Sequence, residues 1–239
     1  MKEIVKILLE NVQSMKTKLN DYQVSQLIEF NKYLQEENEK YNLTAITDPK
    51  EVAIRHFLDS LYIAEIENFQ AASTIIDIGS GAGFPGVPLA IAYPDKQFTL
   101  VDSLKKRVKF LDKLKEKIDL TNITALHKRA EQIADEKKYR ESFDFATARA
   151  VAQMNILTEY CLPLVKIGGV FVAMKLVGND QEINDAKKAI EILGGKIKTT
   201  FQYSLPEDKQ YELIVIKKVK STPQKYPRRP GIPKKRPIN

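Results

Sequence analysis

The chain has 239 residues, of which 29% are charged and 43% hydrophobic, with a net charge of +7. These values suit one globular domain with an extension, or two small ones. No apolar run approaches the length of a membrane span, and a single Cys161 rules out an internal disulfide.

Met1 to Val12 carries Lys2, Glu3, Lys6 and Glu10, so it does not read as a signal peptide. With only two histidines and no Cys/His cluster, no metal site is expected. Cys161 reads as a small buried apolar group in a reducing cytoplasm. The charge is unevenly placed. Residues 217–239 hold nine of the 38 Lys and Arg and no acid, which leaves the rest of the chain at −2. Such asymmetry is that of a nucleic-acid contact.

Residues 1–68 are expected to form a helical cap. Val24, Leu27, Ile28, Phe30 and Leu34 recur at helical spacing, and the polar run through Asn42 ends that helix. Asp48-Pro49-x-Glu51 is a helix start, with Asp at the cap and Pro at the first position. The helix it opens is expected to run to about Ile66. His56, Asp59 and Ser60 then share one of its faces. On spacing alone His56 and Asp59 read as a satisfied polar pair.

Residues 69–220 alternate strand and helix. Strands are expected at Thr74–Ile78, Phe98–Val101, Ile123–His127, Phe143–Thr147 and Val170–Lys175. The helices between them include Leu104–Ile118, one running to about Val165 before a Gly168-Gly169 turn, and one near Gln181–Leu193. Two closing strands, Lys196–Leu205 and Tyr211–Val219, flank a short polar connection. The alternation implies an α/β fold with a mostly parallel sheet, to which the last hairpin adds one antiparallel strand. Residues 221–239 contain five prolines and are expected to be extended rather than packed. Their Lys225, Arg228, Arg229, Lys234, Lys235 and Arg236 are candidate RNA contacts.

The chemistry concentrates after the first strand. Gly79, Gly81, Gly83 and Gly86 follow Thr74–Ile78 within eight positions, ahead of the apolar run Val87–Ala92. Glycine alone takes φ > 0 freely and lets a ligand approach without meeting a Cβ. The turn therefore reads as a nucleotide-cofactor loop. Gly81-x-Gly83-x-x-Gly86 satisfies the dinucleotide fingerprint and keeps a NAD-dependent oxidoreductase open. The longer Asp77-x-Gly79-x-Gly81-x-Gly83 resembles motif I of class I S-adenosylmethionine-dependent methyltransferases, where Asp77 can face the amino end of a bound methionine. Asp102, ending the second strand, is either a ribose acceptor or a helix cap. Ala130 and Glu131 follow the third strand, over the expected adenine; Glu131 reads equally as a helix-start acid. Arg149 and Lys175 end the fourth and fifth strands, where ligands bind in open α/β sheets. The lysines of Leu104–Ile118 read as a solvated helix face.

Taken together, several stretches resemble the glucose-inhibited division protein B family, bacterial methyltransferases of guanine N7 in 16S rRNA. They are Asn42-Leu43-Thr44-Ala45-Ile46, His56-Phe57-Leu58-Asp59-Ser60, Asp77 to Gly86, Val101-Asp102-Ser103, Arg129-Ala130-Glu131, Thr147-Ala148-Arg149-Ala150-Val151 and Tyr226-Pro227-Arg228-Arg229-Pro230-Gly231. The resemblance implies a class I methyltransferase fold, S-adenosyl-L-methionine as donor, and a decoding-region hairpin of 16S rRNA or the small ribosomal subunit as partner. It implies cofactor contacts at Gly79, Phe84, Asp102, Ser103, Leu104, Ala130, Glu131 and Arg149. It also lifts Asn42, His56, Asp59 and Ser60 from core pair to site-lining residues. Leu176 departs from it, standing where the family often has glycine. Asp59 is a candidate acceptor for the positive charge of the methylated base. A monomer acting in the cytoplasm, without a membrane partner, is expected. A non-catalytic RNA-binding assembly factor is the remaining alternative.

Overall fold

In the computed structural model, residues 2–206 and 210–238 are described. Within the polar connection expected between the last two strands, residues 207–209 lie outside the described residues. The cap comprises α1 (Lys2–Val12), α2 (Asp21–Tyr41), α3 (Pro49–Val52), a π-helical turn Ala53–Leu58, α4 (Asp59–Leu61), a 3-10 turn Tyr62–Glu65 and α5 (Glu67–Gln70). Asn20 caps α2 through a reciprocal pair with Gln23, and Asn42 ends it in the left-handed conformation. Asp48 caps α3 as its sequence foretells. The single helix expected to Ile66 is instead broken by the π-turn, which adds a residue per turn and rotates the side chains beyond it.

Seven strands follow: β1 (Thr74–Ile78), β2 (Gln97–Asp102), β3 (Ile123–His127), β4 (Phe143–Arg149), β5 (Val165–Leu176), β6 (Gly195–Ser204) and β7 (Gln210–Lys218). They form one sheet in the order β3-β2-β1-β4-β5-β7-β6, with β7 antiparallel to both neighbours and the first five parallel. The connecting helices are α6 (Gly86–Ala92), α7 (Lys105–Lys117), α8 (Ala130–Ile133), α9 (Met154–Cys161) and α10 (Asp180–Ile192), and α11 (Ile232–Lys235) lies beyond β7. Strand residues alternate between two cores. Ile75, Phe98, Leu100, Phe145, Val172 and Val215 pack against the cap with α6 and α7. Ile76, Ile78, Val101, Ala146, Ala148, Phe171 and Ile214 pack against α8, α9 and α10. The cap is thus one layer of the fold, sharing its core with the sheet. No described helix is long and apolar enough to cross a membrane.

Two expectations are corrected here. Gly168-Gly169 is no turn before β5, because the strand runs through it. Gly168 sits at φ +89, and a Cβ on Gly169 would lie 2.6 Å from the Asp144 carbonyl oxygen, so the pair makes an irregularity in the ladder. The larger correction concerns residues 221–238, which are packed. The Arg140 guanidinium donates to the carbonyls of Thr222, Pro223 and Tyr226. Lys218, fully buried, pairs with Glu141 at 3.0 Å and donates to Leu162 O. The Arg228 side chain grips the Glu159 carboxylate through Nε and Nη2, and its backbone N–H adds a further bond. Ile238 is buried in the second core. Proline-rich composition gave this strap its extended reading; its acidic partners stand far back in the chain. Arg228 is therefore engaged, while Lys225, Arg229, Lys234, Lys235 and Arg236 are exposed.

Arg228→Lys keeps the charge but loses the fork that matches Glu159. It is expected to cost about 1.5–3 kcal/mol, since a hydrogen bond to a charged group contributes about that much. At about 2–4 °C per kcal/mol for a domain of this size, the melting temperature should fall by several degrees. An unchanged melting temperature would mean that this pair does not hold the strap.

Candidate active site

β1, β2 and β4 deliver their C-terminal residues to one edge of the sheet. Asp77, 1% exposed, accepts from Gly86 N–H through Oδ2 at 3.2 Å, while its Oδ1 is buried without a hydrogen-bond partner. Burial pushes its carboxyl up to about 7, against the pull of the Gly86 N–H and the Ser80 contact. The glycine turn follows, with Gly79, Gly81 and Gly83 all at positive φ. Gly86 answers a different need: a Cβ there would meet Leu100 at 2.2 Å, so glycine lets α6 start directly against β1 and β2. Asp102 is held by protein donors on both oxygens. Oδ1 accepts from Leu104 N–H, and Oδ2 accepts from Gly81 N–H at 2.9 Å and from Arg107.

A cleft of about 120 Å³ opens beside this turn. It is lined by Gly79, Ser103, Ala130 and Glu131, as expected, and also by Val151, Tyr160, Lys128 and Arg129. Leu104 stands exposed next to Ser103. Val151 crowds the turn: its Cγ2 would lie 2.5 Å from a Cβ on Gly79. Phe84 is not among the residues lining this cleft. Its ring is buried away from the cleft, stacked on His56 at 4.3 Å and Phe30 at 5.1 Å, with the Arg149 guanidinium 5.1 Å from its centroid.

A second hollow, of about 480 Å³, lies on the other side of that segment. Ile46, His56, Asp59, Arg149, Ala150, Met174, Lys175, Tyr211 and Glu182 are among its walls. Arg149 organises it. The guanidinium donates to Asp59 Oδ2 at 2.8 Å and to Arg55 O at 3.0 Å, and it lies 3.2 Å from His56 Nδ1, which is itself 3.0 Å from Arg55 O. The other Asp59 oxygen accepts from Tyr203 Oη at 2.5 Å. Burial and the adjacent carboxylate raise the Tyr203 phenol far above its ordinary range. His56 Nε2 reaches Thr44 Oγ1 at 2.9 Å. Burial first, then the Arg149 charge, push His56 down to about 3, so the imidazole is neutral at physiological pH. Lys175 bridges Glu182 at 2.6 Å and Ala152 O at 3.0 Å, and Glu182 accepts from Met154 N–H. These bonds tether the 150–153 segment, in which Ala150 takes φ +56.

Four expected residues meet here: His56, Asp59, Arg149 and Lys175. Two do not. Ser60 is fully buried and its hydroxyl donates back to His56 O four residues earlier. Asn42 lies in a neighbouring hollow, with Ile46 as the shared wall. The Asp59 oxygens accept one from Arg149 and the other from Tyr203. Val151, Tyr160 and Glu182 were missed by sequence reasoning. For Val151, the left-handed alanine before it is invisible in sequence; for Glu182, an acid in the first turn after Lys175 was the available signal.

A sequence model described as rRNA small subunit methyltransferase G matches residues 23–213. Proteins named ribosomal RNA small subunit methyltransferase G are similar to this chain. That of Alkaliphilus metalliredigens is 46% identical over 97% of this chain and 98% of its own length. That of Listeria monocytogenes serotype 4b is 49% identical over 92% and 93%. Among solved structures, an O-methyltransferase from Bacillus cereus in complex with SAH has a TM-score of 0.56 at 18% identity, covering 90% of this chain and all of that one. A SAM-dependent O-methyltransferase from Thermotoga maritima has a TM-score of 0.52 at 18% identity, covering 80% and 73%. At such identity these two speak for the fold.

Proposed function

Since this chain belongs to the rRNA small subunit methyltransferase G family, we propose that it transfers a methyl group from S-adenosyl-L-methionine to N7 of a guanine in the decoding-region hairpin of 16S rRNA. One observation carries the reading: two clefts of different chemistry meet at a single segment, with Arg149 and Ala150 in one wall and Val151 in the other. The strand ends suit the donor. The partnerless, buried Asp77 Oδ1 can accept from a ligand ammonium. Gly79 and Gly81, in left-handed backbone, leave room for a sulfonium-bearing chain, and Asp102 is the ribose acceptor. Ser103, Leu104, Ala130 and Glu131 flank the base. Bound there, S-adenosylmethionine supplies an electrophilic methyl group.

The second hollow suits a planar base extruded from its strand. Guanine N7 carries a lone pair, so no proton has to leave before attack. A neutral His56 held by Thr44 and Arg149 fits that requirement, because it positions and takes no proton. Arg149 and Lys175 fix the segment between the clefts. Catalysis then rests on holding the reacting atoms about 3–3.5 Å apart.

The test is methyl transfer from labelled S-adenosylmethionine to small-subunit rRNA, with mass mapping of the modified nucleotide. The expected product is N7-methylguanine at one position. Label elsewhere, or binding of NAD in place of S-adenosylmethionine, would sink the reading; RNA binding without transfer would favour an assembly factor.

The exposed cations of the strap supply the RNA contact. Changing Lys225, Arg229, Lys234, Lys235 and Arg236 together to glutamine should weaken RNA binding and flatten its salt dependence. At about 0.7 per phosphate neutralised on single strands, at most about 3.5 units of slope should vanish. Cofactor affinity should not move. A salt slope equal to that of the unmodified chain would shift the RNA contact to the body.

A further inference from the structure

The strap does more than cover the helices. It reaches the wall of the first cleft at one point: Gly231 N–H donates to Glu131 Oε1 at 2.9 Å. Glu131 is 3% exposed and lines that cleft beside Ala130. Three positions earlier in the strap, Arg228 is clamped on Glu159, whose neighbour Tyr160 lines the same cleft. Beyond Gly231, Pro233 and Ile238 are buried, so the strap is fixed on both sides of the contact.

We propose that Gly231 is a positioning residue for the cofactor: its N–H fixes the Glu131 carboxylate at the Ala130 side of the cleft. The strap is therefore part of the cofactor site. This rests on the reading of that cleft as the S-adenosylmethionine site. The physical reason is the length of the Glu131 side chain. Left alone, it spreads over several rotamers, and a ligand must order it on binding. A peptide N–H held rigidly from the other side does that ordering in advance. It occupies Oε1 and leaves Oε2 for the ligand. Gly231 can deliver its N–H because it sits at φ +85, a backbone state that alanine resists.

That backbone state also gives a clean test. A Cβ on Gly231 would meet nothing within 4 Å, so Gly231→Ala strains the backbone without a clash. Gly168, at φ +89 and equally open, lies at the opposite end of the sheet from the cleft. Gly168→Ala therefore carries the same strain far from the cofactor. Affinity for S-adenosylhomocysteine is measured by calorimetry on both variants, alongside melting temperature. Both should melt a few degrees lower. Only Gly231→Ala should weaken binding, about three- to tenfold. Gly231→Asn, which tolerates left-handed backbone, should keep the wild-type affinity. In a Glu131→Ala background, Gly231→Ala should add no further loss.

If Gly231→Ala does not fold, Arg228→Lys loosens the same segment from its other anchor and should show the same binding loss. Equal effects of Gly231→Ala and Gly168→Ala on affinity, or none from either, would overturn the proposal and leave the strap as packing. A wild-type chain that does not bind S-adenosylhomocysteine would overturn the cofactor reading, and the proposal with it. Wild-type binding with an unaffected Gly231→Ala would overturn the proposal alone.

Discussion

Arg149→Ala is expected to lower the melting temperature by about 6–20 °C and to abolish methyl transfer. Asp59, 3% exposed, would keep its Tyr203 contact but lose the guanidinium that pairs with it at 2.8 Å. Removing one side of a buried pair costs about 3–5 kcal/mol, because the charge left behind is uncompensated. A domain of this size loses about 2–4 °C per kcal/mol. If the stranded carboxylate is the cause, Arg149→Ala combined with Asp59→Asn should recover part of the melting temperature. Activity should stay lost in the double variant, because the guanidinium also holds Arg55 O and His56 between the two clefts. A single variant that melts like the wild type would refute this account of the cluster.

The second large effect belongs to Asp77. Burial lifts its carboxyl to about 7, so at pH 6 most ligand-free molecules hold it protonated. A ligand ammonium binds the ionised form. Affinity for S-adenosylmethionine should therefore strengthen as pH rises, by up to tenfold per unit below about 7, and level off above it. Asp77→Asn should remove that dependence. It should also weaken binding at pH 8 by about ten- to a hundredfold, the worth of a charge-assisted hydrogen bond at about 1.5–3 kcal/mol. Equilibrium binding across pH 5.5–8.5 for both proteins decides the matter. A variant whose profile parallels the wild type would show that another group titrates.

The parts of this molecule that are legible in its sequence are those set by near neighbours. β1 and its glycine turn are written in a β-branched run followed by residues that break it. Arg149 and Lys175 are marked by their places at strand ends. Partner choice across the fold is not written locally. Asp59 and Ser60 read alike as polar residues on one helix face, yet Asp59 meets Arg149 from β4 and Ser60 bonds back to its own helix. Phe84 sits within the glycine motif, but its ring is claimed by Phe30 and His56 from the cap. The strap misled for the same reason. Prolines and cations signal an unpacked segment only when no buried acids await them, and Glu159 and Glu141 stand 69 and 81 positions before the residues they hold.

The cluster around Asp59 also bears on the order in which the chain folds. Its two bonds close separations of 90 and 144 positions, joining the cap to β4 and to the edge strand β6. Contacts at such range stabilise only after the entropy of closing the intervening chain has been met. The parallel strands can pair earlier, through nearer neighbours. The cluster is then a late latch, formed on the native side of the folding barrier. Weakening it should leave refolding almost as fast and make unfolding faster. Its ion pair sets how long the folded state lasts more than how quickly it is reached.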